Sequence, residues 1–198
     1  MSSTENKPLF LGIGPSTQAI SALLTDGEKI LAYVEVNYKE ALGAKYSGLN
    51  EGGFATGPNG LVFTSPWMLL DSLDLVLQKL LNEVGNPVMA RICRVAVAAQ
   101  QHGMWMGNRN FKTCLTSMSP TGNSLGKHFA SAFAGTHVTS WMCKAALPYC
   151  AEMHELIGSE KLLATTGSTA QPRFLVPQLM RIAKERAGDL ASAETIGL

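Results

Sequence analysis

Apolar and polar residues alternate through the first forty positions in a way that predicts three consecutive strands. Residues 9–13 and 19–24 are apolar runs separated by a short bend carrying Ser16, Thr17 and Gln18. Thr25-Asp26-Gly27-Glu28 then gives a tight-turn signal, after which Ile30, Ala32, Val34 and Val36 alternate with mostly polar neighbours. Strands joined by such short turns pair as an antiparallel meander. The period changes further on. Between Ser65-Pro66 and Gly85-Asn86-Pro87, residues Trp67, Leu70, Leu73, Val76, Leu77, Leu80 and Leu81 recur at steps of three and four. That spacing predicts one amphipathic helix, with proline at its start and glycine at its end.

Residues 92–99 form a short run rich in β-branched and small apolar residues, as expected of a strand covered on both faces. A helix followed by a buried strand predicts an α/β domain with a mixed, helix-covered sheet. Residues 43–65 carry Gly52-Gly53, Gly57-Pro58 and Asn59-Gly60, the punctuation of a long surface excursion. Residues 108–129 are weakly periodic, rich in Ser, Thr, Gly and Asn, and read as irregular. Helical spacing returns over 148–157 and over 174–187. In the second of these, Leu175, Leu179, Ile182 and Ala183 are expected on one face and Arg181, Lys184 and Glu185 on the other.

Composition narrows the function classes. With 198 residues, 46% hydrophobic and 16% charged, the chain is expected to be soluble and to bury one core or a small pair of layers. A net charge of +1 gives no general electrostatic reason to bind nucleic acid or an anionic membrane. Residues 1–8 are polar and expected to be disordered, without the order of a secretory signal, and no apolar run is long enough to span a bilayer. A cytoplasmic location is the expectation. Cys93, Cys114, Cys143 and Cys150 form no C-x-x-C pair and are expected to be reduced and mostly buried. His128, His137 and His154 have no spacing that suggests a metal site.

Three stretches could carry chemistry. In Gln100-Gln101-His102-Gly103, carboxamides and a neutral imidazole can each donate and accept hydrogen bonds, which suits the alternating hydroxyls of a sugar. They could equally satisfy loop backbone. Trp141 ends a polar loop, either as a stacking platform for a sugar ring or as a plug on the domain surface. Arg173 stands at the entrance of the last helix, placed to bind a hydroxyl or an anion, or simply solvated.

Taken in order, residues 11–18 (LGIGPSTQ), GEKILAYVEVNY, GGFATGPNG, QQHG, AFAGTHVTSWM and TGSTAQPRFLVPQLMRIA resemble the amino-terminal domain of the FGGY family of ATP-dependent carbohydrate kinases, nearest its D-xylulose branch. The resemblance runs from about Leu9 to the last residue. It implies a ribonuclease H-like, actin-like ATPase domain whose mixed sheet starts with the three-strand meander and carries helices on both faces. It also implies ATP and Mg²⁺ as family cofactors, a small-molecule sugar, D-xylulose, as partner, and Gln101, His102 and Arg173 as substrate-binding positions; Trp141, as the possible stacking platform, is the fourth substrate-binding candidate. Gly14, Ser16, Thr17 and Gln18 fall on the family's phosphate-facing hairpin.

The chain departs from the family in ways that bear on activity. The family places an aspartate where Gly14 stands, so a carboxylate suited to a hard cation is missing, and Pro15 removes a backbone N–H beside it. Cys143 stands where the family usually has an aspartate, and residues 97–99 join the glutamines without the family's intervening turn. The family's catalytic base and most of its adenosine contacts belong to a second, nucleotide-binding domain beyond these 198 residues. The implied reaction is ATP-dependent phosphorylation of D-xylulose to D-xylulose 5-phosphate, with no catalytic residue or metal ligand assigned here and this chain alone inactive or nearly so. The alternative is a non-catalytic sugar-binding or interaction module that keeps the kinase fold.

Overall fold

The computed structural model describes residues 7–119 and 122–198. Most of the stretch expected to be disordered, residues 1–8, lies outside the described residues. The chain divides into two compact units, one built from the described residues up to Gly53 together with Met68–Gln100, the other from Phe54–Trp67 and Gln101–Leu198.

The first unit contains the meander as expected. Strands β1 (Leu9–Pro15), β2 (Ala19–Thr25) and β3 (Ile30–Asn37) pair antiparallel, and β1 also pairs in parallel with β6 (Ile92–Val97), giving the order β3-β2-β1-β6. Alternation sends Leu9, Leu11, Ile13, Ala22, Leu24, Ala32, Val34 and Val36 into one core. Ile30 breaks the expected series and is 65% exposed, because the β2–β3 register shifts between Leu24 and Thr25 and a one-residue slip changes the face.

Against this face lie α1 (Tyr38–Leu42), capped by the Asn37 carboxamide, and α2 (Pro66–Val84), whose Met68, Val76 and Leu80 are fully buried. The α2 stripe contains two polar residues that spacing alone would not place there. Ser72 donates to the carbonyl of Leu69, and Asp71 accepts from Tyr46 Oη at 2.6 Å and Lys45 Nζ at 2.5 Å, so neither is buried unpaired. Gly85, in the left-handed region at φ 78°, ends α2 as expected, and the short α3 (Asn86–Met89) follows. Helical cover is thus observed on this face of the sheet.

Strand β6 corrects the sequence expectation. It was expected to be covered on both faces, yet Cys93 to Val97 are all exposed, with Val95 at 57% and Val97 at 62%. It is one of the sheet's two edge strands, and a β-branched run reports strand propensity without saying what covers it.

The second unit holds β4 (Ala55–Thr56), β5 (Val62–Thr64), β7 (Trp105–Asn108), β8 (Val138–Thr139) and β9 (Ala193–Gly197), arranged as β4-β5-β8 and β7-β9. The stretch read as a surface excursion therefore contains paired strands. The segment read as irregular contains α4 (Asn110–Thr116) and α5 (Leu125–His128). Helix α4 buries no residue, which is why it leaves no apolar stripe. Then come α6 (Leu147–Ile157), α7 (Ser159–Thr166), α8 (Leu175–Glu185) and α9 (Ala187–Ser192). Met104, Met106 and Ile182 form a small core with Leu175, Leu179 and Leu190. Trp67, Trp105, Phe111 and Phe133 pack as an aromatic cluster with ring separations of 4.6 to 6.1 Å.

Helix α8 departs from the expected face assignment. Arg181 is buried at 1% exposure and Ala183 is exposed, the reverse of the sequence expectation. The guanidinium enters because Gln178 and Glu185, one turn away on either side, supply acceptors for it. The cysteines divide: Cys143 and Cys150 are buried, Cys114 is half-buried and Cys93 is exposed, and all four are free. No described helix is long and apolar enough to cross a membrane.

Candidate functional site

The pocket that gathers the predicted chemistry lies wholly within the second unit. Gln101, His102, Trp141 and Arg173 line a hollow of about 460 Å³, within the range of about 300–1,000 Å³ common for small-molecule sites. Three separate stretches supply them: the turn before β7, the loop after β8, and the residues that enter α8.

His102 is held at φ 66°, one of two non-glycine residues with positive φ among the described residues. For an L-residue this left-handed conformation costs about 1–2 kcal/mol, and such strain tends to persist where a side chain has to be aimed. The imidazole centroid stands 5.3 Å from that of the Phe174 ring, and the Arg173 guanidinium carbon lies 5.7 Å from the same ring centroid. Phe174 is therefore a shared wall for two polar groups, a role that its residue type alone did not signal. Trp141 is 47% exposed, too open to be a plug.

Hydrogen bonding separates the open alternatives further. Among the described residues, none of the four lining side chains has a hydrogen-bond partner within the protein. The suggestion that His102 satisfies loop backbone thus finds no counterpart in the structure. A carboxamide, an imidazole and a guanidinium face the hollow with donor and acceptor capacity unused, beside an exposed indole face.

The β1–β2 hairpin, in the first unit, behaves differently. Ser16 Oγ donates to the carbonyl of Ala19 at 2.8 Å and accepts from its N–H at 3.3 Å, so its hydroxyl closes its own turn. Among the described residues the side chains of Thr17 and Gln18 make no such bond, while the Gln18 carbonyl accepts from Tyr38 N–H at 3.0 Å. A Cβ on Gly14 would approach Ser21 Oγ at 3.1 Å, which a rotation of that hydroxyl would relieve. Gly14 supplies no carboxylate, and among the described residues no three His, Cys, Asp or Glu side chains gather as a metal ion would need. The residues of this hairpin do not by themselves fit Mg²⁺, which prefers oxygen ligands and commonly one or two carboxylates.

The remaining histidines are engaged elsewhere. His128 Nε2 lies 2.7 Å from the Cys114 carbonyl and His154 Nδ1 3.0 Å from Ser159 Oγ. His137 stacks on Phe63 with centroids 3.7 Å apart, and its Nδ1 is 3.1 Å from Arg186 Nη1. Burial, then the charges of Arg186 and Arg181, hold the His137 imidazole below its ordinary pKa.

No protein-family model matches the chain. It is similar to a protein named xylulose kinase 2 from Arabidopsis thaliana, with 28% identity over 96% of this chain and 34% of the relative. It is also similar to a probable D-xylulose kinase A from Neosartorya fischeri, with 27% identity over 92% of this chain and 31% of the relative. The chain therefore spans about a third of the length of the curated relatives it matches. Among solved structures, it resembles a xylulose kinase from Brucella ovis (TM-score 0.67, 16% identity, 96% of this chain and 32% of that one). A glycerol kinase from Plasmodium falciparum solved with ADP is also similar (TM-score 0.65, 13% identity, 97% and 32%). The fold is thus the actin-like α/β fold of the FGGY kinases.

Proposed function

We propose that this chain is the sugar-binding portion of an FGGY-type carbohydrate kinase with D-xylulose as its sugar. The observation that carries this reading is the convergence of Gln101, His102, Trp141 and Arg173, from three separated stretches, on one hollow with no internal hydrogen bonds. Similarity to xylulose kinases over nearly the whole chain supports the choice of ketose.

The roles follow from the side chains. Gln101 and His102 supply both donors and acceptors to sugar hydroxyls, Arg173 supplies donors only, and the indole of Trp141 offers an apolar face to the C–H groups of the sugar. In the complete kinase, ATP would phosphorylate the terminal hydroxyl of the ketose. The chain alone is expected to show no more than trace phosphorylation, because Gly14 brings no carboxylate and no residue here is assigned as the base that family members use. A cytoplasmic site of action accords with this role.

The test is an NMR titration of the folded chain with D-xylulose, observed at the Trp141 indole N–H. Saturable shifts that vanish in His102→Ala are expected, with weak, millimolar-range affinity for a half-site open to water. A folded chain whose indole signal stays fixed overturns the reading. Phosphorylation of D-xylulose from ATP above a no-protein control would overturn the expected inactivity of the isolated chain.

The missing carboxylate at Gly14 favours a second reading, a sugar-binding module without catalysis. Adding the carboxyl-terminal two-thirds of a related xylulose kinase in trans separates the two. Restored turnover supports the kinase portion, and sugar binding without turnover supports the module.

A further inference from the structure

We infer that Gln178, held in place by Arg181, is the positioning residue that fixes Arg173 at the pocket, an inference that rests on the sugar-binding reading above. Both residues lie one turn apart on α8 and each is 1% exposed. Neither touches the pocket.

Their hydrogen bonds have only one consistent arrangement. Arg181 Nε is 3.1 Å from Gln178 Oε1, and a guanidinium can only donate, so that side of the amide must be its oxygen. The amide nitrogen is thereby turned the other way, where it donates to the carbonyl of Pro172 at 2.6 Å. Proline has no N–H, so this carbonyl is the one polar backbone group of the residue immediately before Arg173. On the other side of Arg173, Phe174 accepts at its carbonyl from Gln178 N–H at 3.2 Å and donates its own N–H to the Gln171 carbonyl at 2.9 Å. The backbone of Arg173 is therefore flanked on both sides by bonds traced to Gln178.

The arrangement is an expensive way to fill a core. Arg181 Nη1 reaches Glu185 at 3.2 Å, but Nη2 is buried with no partner. A buried unsatisfied donor forfeits its hydration without a replacement bond, and an apolar residue would extend the stripe of Leu175, Leu179 and Ile182 without that cost. What the guanidinium supplies is the orientation of Gln178. An exposed arginine loses much rotamer freedom on binding, so a backbone already fixed lowers the cost of placing it against a ligand.

The test compares Gln178→Glu, alone and combined with Arg173→Ala. A carboxylate still accepts from Arg181 yet cannot donate to Pro172, whose carbonyl its second oxygen repels, so the Arg181 pair is kept while the clamp is opened. Two readouts are taken after circular dichroism shows a cooperative melt: D-xylulose affinity at the Trp141 indole, and amide hydrogen exchange. Gln178→Glu is expected to weaken binding about tenfold in the wild-type background and to change nothing further once Arg173 is alanine. Equal losses in both backgrounds overturn the inference, since a general structural defect adds to the loss of Arg173. Exchange at Phe174, whose N–H bonds the Gln171 carbonyl, is expected to accelerate at least tenfold, with the α6 amides unchanged.

If the wild-type protein takes no D-xylulose, the pocket reading fails by itself and exchange still decides the clamp. Acceleration confined to the entrance of α8 supports it, and identical exchange in wild type and variant overturns it. Should Gln178→Glu not fold, Gln178→Met is measured in the same two ways.

Discussion

The second unit's pocket and a hollow in the first unit are nearly equal in size, about 460 and 480 Å³. They differ in what their polar groups are doing. The first-unit hollow is lined by Glu35, Asn37, Glu40, Gln78, Lys79 and Asn82 among others. Lys79 Nζ donates to the Glu35 carbonyl at 2.9 Å, Gln78 donates to Asn82 at 2.9 Å, Tyr33 donates to the Glu35 carboxylate at 2.9 Å, and Asn37 caps α1 by accepting from Glu40 N–H at 3.1 Å. That hollow is a seam in which Lys79, Gln78, Asn82, Asn37 and Glu35 are already engaged within the protein. The other presents a carboxamide, an imidazole and a guanidinium without internal partners. A ligand gains more from unspent hydrogen bonds than from volume.

Removing the pocket's charged donor tests the comparison at its strongest point. Arg173→Ala removes a charged donor, and hydrogen bonds to charged groups contribute about 1.5–3 kcal/mol. D-xylulose affinity at the Trp141 indole should fall roughly 10-fold to 100-fold, while the melting temperature stays close to that of the wild type because the guanidinium is exposed. A large loss of stability without loss of affinity would mean that Arg173 belongs with the satisfied groups of the other hollow.

The converse variant is Asn37→Ala. Its carboxamide caps a helix, so stability should drop by about 1 kcal/mol and sugar affinity should not change. Chemical denaturation measures the first and the same titration the second. A change in affinity would show that the seam takes part in ligand binding.

Legibility in the sequence follows the same division. The meander could be read because each strand buries one face, and period-two alternation records that burial directly; Ile30 alone was misread, where a register shift left no trace in composition. Helix α2 was readable from its stripe and its Gly85 stop. Strand β6 was misread because Val95 and Val97 report backbone preference, whereas exposure depends on neighbours distant in sequence. Helix α4 left no signal because it buries nothing. At the pocket, Gln101, His102, Trp141 and Arg173 stood out by residue type and by resemblance, but the left-handed turn at His102 could not be seen in its letters. Gln178 and Arg181 were hidden for the opposite reason. Polar residues on an otherwise apolar stripe look solvent-facing until the spacing of Phe174, Gln178, Arg181 and Glu185, at steps of four, three and four, is taken as one line that runs through the core at Gln178 and Arg181 and ends exposed at Glu185.

His102→Gly sharpens the contrast at a single residue. Glycine adopts φ 66° without the steric cost that histidine bears there, although its greater freedom in the unfolded state offsets part of the gain. Stability should be unchanged or raised by up to about 1 kcal/mol, while D-xylulose binding is lost. A variant that is both destabilised and unable to bind would indicate a packing role for the imidazole against Phe174. A stabilised, non-binding variant would show strain retained for the ligand.

The smallest expected effect is a slope with pH, and it separates the two units. All four histidines, His102, His128, His137 and His154, belong to the second unit, so mild acid can charge imidazoles only there. His137 is held below the ordinary value of 6.5, first by burial and then by Arg186 and Arg181. With the folded value below the unfolded one, the unfolded state takes up the proton first. This contribution to stability is therefore complete above about pH 6.5 and is lost as the pH falls from there toward the lower, folded value. Protonation would also set a cation against Arg186, whose Nη1 donates to the neutral Nδ1. Amide exchange in Val138–Thr139 should quicken between pH 6.5 and 5 after correction for intrinsic rates, while β1–β3 amides do not change. His137→Gln should flatten that slope, since the carboxamide can still accept from Arg186 and carries no titrating proton. A slope that persists in the variant would assign the pH response to another second-unit histidine, and one shared equally by β1–β3 would mean that the two units open together.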